Sequence, residues 1–174
     1  MKPVLVVDDE AQIRWLLKTL LSKEGFESIE ASDGCSAFAT ANKIDGEISL
    51  LLTDINMPGS PVNGVELAGA VKSEFPEIPI LFVSSEPSSA PDLNTVAPGN
   101  VFLKKPFDLR VFAETARKLV TQASESNRGL VRRSGNALRG TGWSRLLSRC
   151  SGHPSAAVRE ESTINKEPIN EFDH

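Results

Sequence analysis

Five side chains in the first 105 residues have types suited to handling a transferring anion. They are the adjacent carboxylates Asp8 and Asp9, a third carboxylate at Asp54, the hydroxyl of Ser84 and the ammonium of Lys105. Each is the first polar group, or nearly so, after an apolar run. Carboxylates brought into one cleft repel one another, and a hard cation with oxygen ligands relieves that repulsion; Mg2+ suits one or two carboxylates, a main-chain carbonyl and retained waters. Phosphoryl transfer asks mainly for positioning and charge neutralisation, and a carboxylate is a competent nucleophile for it, giving an aspartyl phosphate. On this reading Asp54 is the nucleophile, while Asp8 and Asp9 hold the metal directly or through water. The backbone carbonyl of Asn56 completes the protein ligands, and Lys105 adds a mobile positive charge at the rim.

These residues can meet only if the elements before them run side by side. Residues 4–7, 27–31, 48–53, 78–83 and 101–104 are apolar or β-rich runs of strand length. Between them lie helical patterns. Ile13, Leu16, Leu17, Leu20 and Leu21 share one face, with Asp9 or Glu10 placed to cap the start and Gly25 to end it. Residues 34–42, 65–75 (closed by Pro76) and 109–120 follow the same period. The alternation predicts an α/β fold, a parallel sheet with right-handed crossovers covered by helices on both faces. Ligands in such a sheet sit beyond the carboxyl ends of the strands, where strand order reverses, and that is where all five side chains fall. Pro87, Pro91 and Pro98 restrict any helix between Glu86 and Asn100 to a short one, beginning near Pro91 and finished before Pro98.

A change of character near residue 124 divides the chain. Residues 1–124 hold 11 Lys/Arg against 17 Asp/Glu, a net of −6, whereas residues 125–174 hold 8 against 6, a net of +2. The first part is expected to be one folded domain. The second, rich in Arg, Ser and Gly, is expected to be a largely disordered tail, because little apolar surface is available to offset an ordering entropy of roughly 1–2 kcal/mol per residue. Leu130, Leu138, Trp143, Leu146 and Leu147 leave room for a short helix formed on contact with a partner. The tail arginines show no helix-turn-helix or other nucleic-acid motif, so nucleic acid is not the expected partner. Cys35 and Cys150 stand alone, without a CxxC or a Cys/His cluster in sequence; neither a disulfide nor a zinc site is expected, and a reducing compartment fits. No segment approaches the roughly 20 apolar residues of a spanning helix, and a cytoplasmic protein is expected.

Four segments in order, Val-Val-Asp8-Asp9-Glu10, Leu-Thr-Asp54-Ile-Asn-Met-Pro58, Phe-Val-Ser84-Ser85 and Phe-Leu-Lys-Lys105-Pro106-Phe107, resemble the signatures of the CheY-like receiver family over about residues 2–122. The combination is specific, although each motif alone is weak. The resemblance implies a flavodoxin-like (βα)5 fold with strand order 2-1-3-4-5 and a response regulator that takes a phosphoryl group from a sensor histidine kinase, or a phosphotransfer protein, onto Asp54. It implies Mg2+ (or Mn2+) on Asp9, Asp54 and the Asn56 carbonyl, with Asp8 assisting. Ser84 and Lys105 would contact the phosphoryl oxygens, Phe102 would be the aromatic whose rotamer follows Ser84, and the Lys105–Pro106 bond would be cis. Two departures stand out. The turn 59–64 is about two residues longer than usual, which bears on access to the site, and Pro98-Gly99 replaces the usual Gly-Ala before the last strand.

The first reading is a single-domain signalling receiver that docks to a downstream protein once phosphorylated, since the sequence offers no second core. The alternative is the receiver part of a DNA-binding regulator whose output is lost or reduced to the basic tail. A phosphohydrolase of the haloacid dehalogenase type would place a second acid two residues after its nucleophile; here that position is Asn56, which is no general acid. Asn56 and Glu86 are expected to flank the path of attacking water and so to set the lifetime of the phosphorylated state.

Overall fold

The computed structural model describes residues 2–85, 99–126, 146 and 148–153. Five strands, β1 (Val4–Val7), β2 (Ser28–Ala31), β3 (Leu50–Thr53), β4 (Ile80–Ser84) and β5 (Val101–Lys104), form one parallel sheet in the order β2-β1-β3-β4-β5. The helices are α1 (Ala11–Lys23), α2 (Gly34–Lys43), α3 (Gly64–Glu74) and α4 (Leu109–Ser126). The flavodoxin-like order expected from the resemblance is the one observed. Glu86 and the short helix expected before Pro98 lie outside the described residues.

The two-sided burial of the strands explains why they read as unbroken apolar runs. In β1, Leu5 and Val7 face the side covered by α2 and α3, while Val4 and Val6 face the side covered by α1 and α4. Leu51 with Ile80 and Phe82, against Leu50 and Leu52 with Leu81 and Val83, repeat that alternation. Each such fully buried aliphatic side chain contributes about 1.5–3 kcal/mol relative to exposure.

Helix ends follow local chemistry, with one correction. Asp33 caps α2 by accepting from the backbone N–H of Ser36 at 2.8 Å, and Asn63 caps α3 by accepting from that of Glu66 at 2.9 Å. Gly25, with φ +81°, ends α1 as expected. The start of α1, however, has no side-chain cap from Asp9 or Glu10; the carboxylate of Asp8 instead accepts the Glu10 N–H at 2.9 Å.

Helix α4 runs to Ser126, past the expected boundary at 124, since no Gly or Pro stands between Leu109 and Gly129. Nor is the following region detached throughout. Residues 148–150 are helical, and Leu146 and Cys150 are buried in the cluster between the sheet and α2–α3. Arg149 pairs with Glu66 of α3. The expectation that both cysteines stand alone is overturned: Cys35 and Cys150, 115 residues apart, form a disulfide. Leu146, Cys35 and Cys150 are buried in the same cluster, a long-range association that no sequence spacing encodes. The rest of the tail, including Trp143 and the other arginines of the basic run, lies outside the described residues.

Candidate phosphoacceptor site

Register brings the acidic residues together. Val7 pairs with Thr53, so the residues that follow, Asp8 and Asp54, emerge side by side, and the Asp54 N–H still donates to the Val7 carbonyl at 2.9 Å. Asp8 is fully buried, Asp54 nearly so, and Asp9 is exposed; one carboxylate oxygen from each lies within 4.8 Å of the others. Three hard oxygen donors at that separation fit a small divalent cation.

Lys105 reaches this group from the opposite half of the sheet. Lys104 pairs with Ser84 at the end of β4, and the Lys105 N–H donates to the Ser84 carbonyl at 2.9 Å. The Lys105–Pro106 bond is cis. The ammonium donates to Asp8 Oδ2 and to Asp54 Oδ2, both at 2.7 Å. Burial pulls the Lys105 pKa down, but hydrogen bonds to Asp54 and Asp8 outweigh it and leave it raised. For Asp8 burial dominates and raises the pKa, against the Lys105 bond and the Glu10 N–H.

Asn56 is exposed, and its N–H donates to Asp54 Oδ1 at 3.1 Å, fixing the carboxylate rotamer. The Ser84 hydroxyl is buried at the end of β4 and has no hydrogen-bond partner. Leaving such a group unsatisfied costs about 1–3 kcal/mol, an expense that an incoming oxygen acceptor would relieve. Phe102, half-buried on β5, packs against the α2–α3 side of the core.

Sequence reasoning missed three supporting groups. Arg14 of α1 donates from Nη1 to the carbonyls of Asp8 (2.7 Å) and Asp9 (3.1 Å), pinning the loop that carries both acids. Thr53 is buried and donates to the Asp54 carbonyl at 2.8 Å. Gly64 packs so closely on that same carbonyl that a Cβ there would overlap its oxygen. The Asn63-Gly64 pair at the start of α3 was a visible signal for a close approach; for Arg14 there was none. The lengthened turn 59–64 tucks inward: Val62 is fully buried, and the Ser60 hydroxyl accepts the Gly34 N–H at 3.1 Å and donates to the Val62 carbonyl at 2.6 Å.

Comparison with known proteins agrees with this geometry. A family model described as the response regulator receiver domain matches residues 4–117. The chemotaxis protein CheY1 of Helicobacter pylori is 36% identical over 117 residues, covering 64% of this chain and 90% of that protein. The chemotaxis protein CheY of Pseudomonas aeruginosa is 32% identical over 120 residues, covering 67% and 94%. Among solved structures, the receiver domain of NtrX from Brucella abortus superposes with a TM-score of 0.59 at 33% identity, over 68% of this chain and 98% of that one. An acidic pocket at the strand ends, a lysine bridging two of its carboxylates and a family match across the whole sheet lead to one conclusion: the chain belongs to the response regulator receiver family.

Proposed function

We propose that Asp54 accepts a phosphoryl group from a phosphohistidine of a sensor kinase or phosphotransfer protein, and that the resulting charge changes which downstream protein the domain binds. The observation that carries this reading is the Lys105 ammonium held at 2.7 Å from both Asp8 and Asp54. One Asp54 carboxylate oxygen attacks phosphorus, the P–N bond to the donor histidine breaks, and an acyl phosphate forms. Lys105 then follows the negative charge from the Asp54 carboxylate to the phosphoryl oxygens. The buried Ser84 hydroxyl is available to donate to another of those oxygens, and the half-buried Phe102 would repack as it turns.

Mg2+ or Mn2+ held by Asp9, Asp54 and the Asn56 carbonyl, with Asp8 assisting, would supply further neutralisation of the transferring group. The domain acts as a phosphoacceptor that turns over only by slow self-dephosphorylation, since the exposed Asn56 offers no acid two residues after Asp54. The basic run of the tail gives little support to a DNA-binding output: Arg149, the member whose contacts are described, is spent on Glu66.

Incubation of the full chain with acetyl phosphate and Mg2+, followed by intact mass and peptide mapping, tests the proposal. One added phosphoryl group on the peptide containing Asp54 is expected, and none with Asp54→Asn. Labelling elsewhere, or undiminished labelling of the variant, would refute it.

A further inference from the structure

A second constellation of metal-binding side chains lies away from the acidic cleft. Asp33 caps α2, Cys35 is the second residue of that helix, and the segment ending in Cys150 and His153 packs on the same helix. A carboxylate oxygen of Asp33, Sγ of Cys35 and a ring nitrogen of His153 lie within 4.8 Å of one another, and Cys150 Sγ is bonded to Cys35. The His153 N–H donates to the Cys150 carbonyl at 3.0 Å, and Gly152, at φ +89°, makes the turn that folds His153 back over Cys150. One sulfur, an imidazole and a carboxylate therefore meet at one point, with the second sulfur one bond beyond the first, and the two cysteines are 115 residues apart in the chain.

We infer that, once the Cys35–Cys150 disulfide is reduced, these four side chains form a tetrahedral Zn2+ site that holds residues 148–153 on α2. The inference is independent of the phosphoacceptor reading. Two thiolates, an imidazole and a carboxylate make a donor set suited to this borderline-soft ion. Zn–S bonds of about 2.3 Å place two thiolates about 3.8 Å apart at a tetrahedral angle, a separation that small side-chain rotations allow for residues whose Cα atoms are 5.4 Å apart. Asp33 is already oriented: Oδ1 accepts from the Ser36 N–H and Oδ2 from the Ser32 hydroxyl, the kind of hydrogen bonding that fixes a ligating carboxylate. Cys35 sits at the amino end of α2, where the helix dipole favours an anion. Exposed Ser151 and Gly152 beside the half-buried His153 give the ion a way in from solvent.

The chemistry balances. A dithiol reductant passes two electrons and two protons to the disulfide and is itself oxidised to a disulfide, leaving Cys35 and Cys150 as thiols. Zn2+ then binds both sulfurs as thiolates, and the two protons go to solvent. In a reducing compartment, where protein disulfides are rare, the metal form is the one that keeps the segment docked.

The test reduces the full chain with dithiothreitol under argon, removes the reductant and titrates with Co2+ followed by Zn2+. Expected are one Co2+ per chain with a thiolate-to-cobalt charge-transfer band and the intense visible bands of tetrahedral coordination, bleached by Zn2+. Neither signature is expected from the oxidised chain or from Cys35→Ser/Cys150→Ser. Because the buried cysteines affect folding, His153→Ala and Asp33→Asn carry the decision; Asn retains the helix cap. His153→Ala should weaken Zn2+ binding at least about 100-fold, and Asp33→Asn about 10-fold, set against the 10–100-fold typical of outer-sphere partners. The inference is overturned if reduced wild type gives only the pale octahedral spectrum expected of the carboxylate cleft, or if the thiolate signature and affinity are unchanged by His153→Ala.

Discussion

The cleft at the strand ends and the cluster beside α2 are both groups of polar side chains at the margin of an apolar core, yet they are built in opposite ways. Asp8, Asp54 and Lys105 each directly follow a strand, so the register of the sheet sets their backbones at one edge. Asp33 and Cys35 lie at the start of one helix, Cys150 and His153 on a later segment that returns to it, and Leu146 and Cys150 of that segment are buried in the same core cluster as Cys35. A site made by the backbone ladder survives changes elsewhere in the molecule. A site made by docking depends on everything that docks.

Substitution at each region should separate the two, beginning with the largest effect. Lys105→Ala removes the cation between Asp8 and Asp54, and Asp54 labelling by acetyl phosphate should slow by about 100-fold, as for loss of one preorganised charge-stabilising donor. Free-thiol assays should still find Cys35 and Cys150 paired. The converse variant, Cys150→Ser, should destabilise the oxidised chain by about 2–4 kcal/mol in urea unfolding while the labelling rate of Asp54 stays at the wild-type value. A large drop in that rate would mean that the two regions are coupled, through the Ser60 contact with Gly34.

Gly64→Ala forces a Cβ onto the Asp54 carbonyl, and a loss of about 1–3 kcal/mol is expected from overpacking. Because the clash is with the phosphoacceptor's own backbone, this variant should also slow labelling, which Cys150→Ser should not. The smallest effect concerns pH in the presence of a chelator. Burial raises Asp8 above its ordinary 3.8. Between 3.8 and the folded value the native chain holds a proton that the unfolded chain has released, so stability falls as pH rises through that window. Urea midpoints across it should decline, and Asp8→Asn should flatten the decline. Lys105, raised above 10.5, acts only in alkali: its contribution is complete below 10.5 and lost as pH climbs through the higher folded value.

The amino-acid sequence by itself determined the five strands, most of the helix ends and the acids of the cleft. Residues 4–7, 50–52 and 80–83 are unbroken apolar runs because both faces of the sheet are covered, and a chain leaving such a run turns polar where the ligand crevice opens. Those are local patterns, readable within a few residues. Only the tertiary structure decided that Lys105 bridges two carboxylates, that Arg14 holds the loop bearing Asp8 and Asp9, and that Asp8 rather than Asp9 or Glu10 takes the N–H at the start of α1. It also decided that Cys35 and Cys150 are partners with His153 and Asp33 beside them. Side chains from distant parts of the chain meet through the burial of apolar surface, which has no direction and leaves no spacing in the sequence from which the meeting could be read.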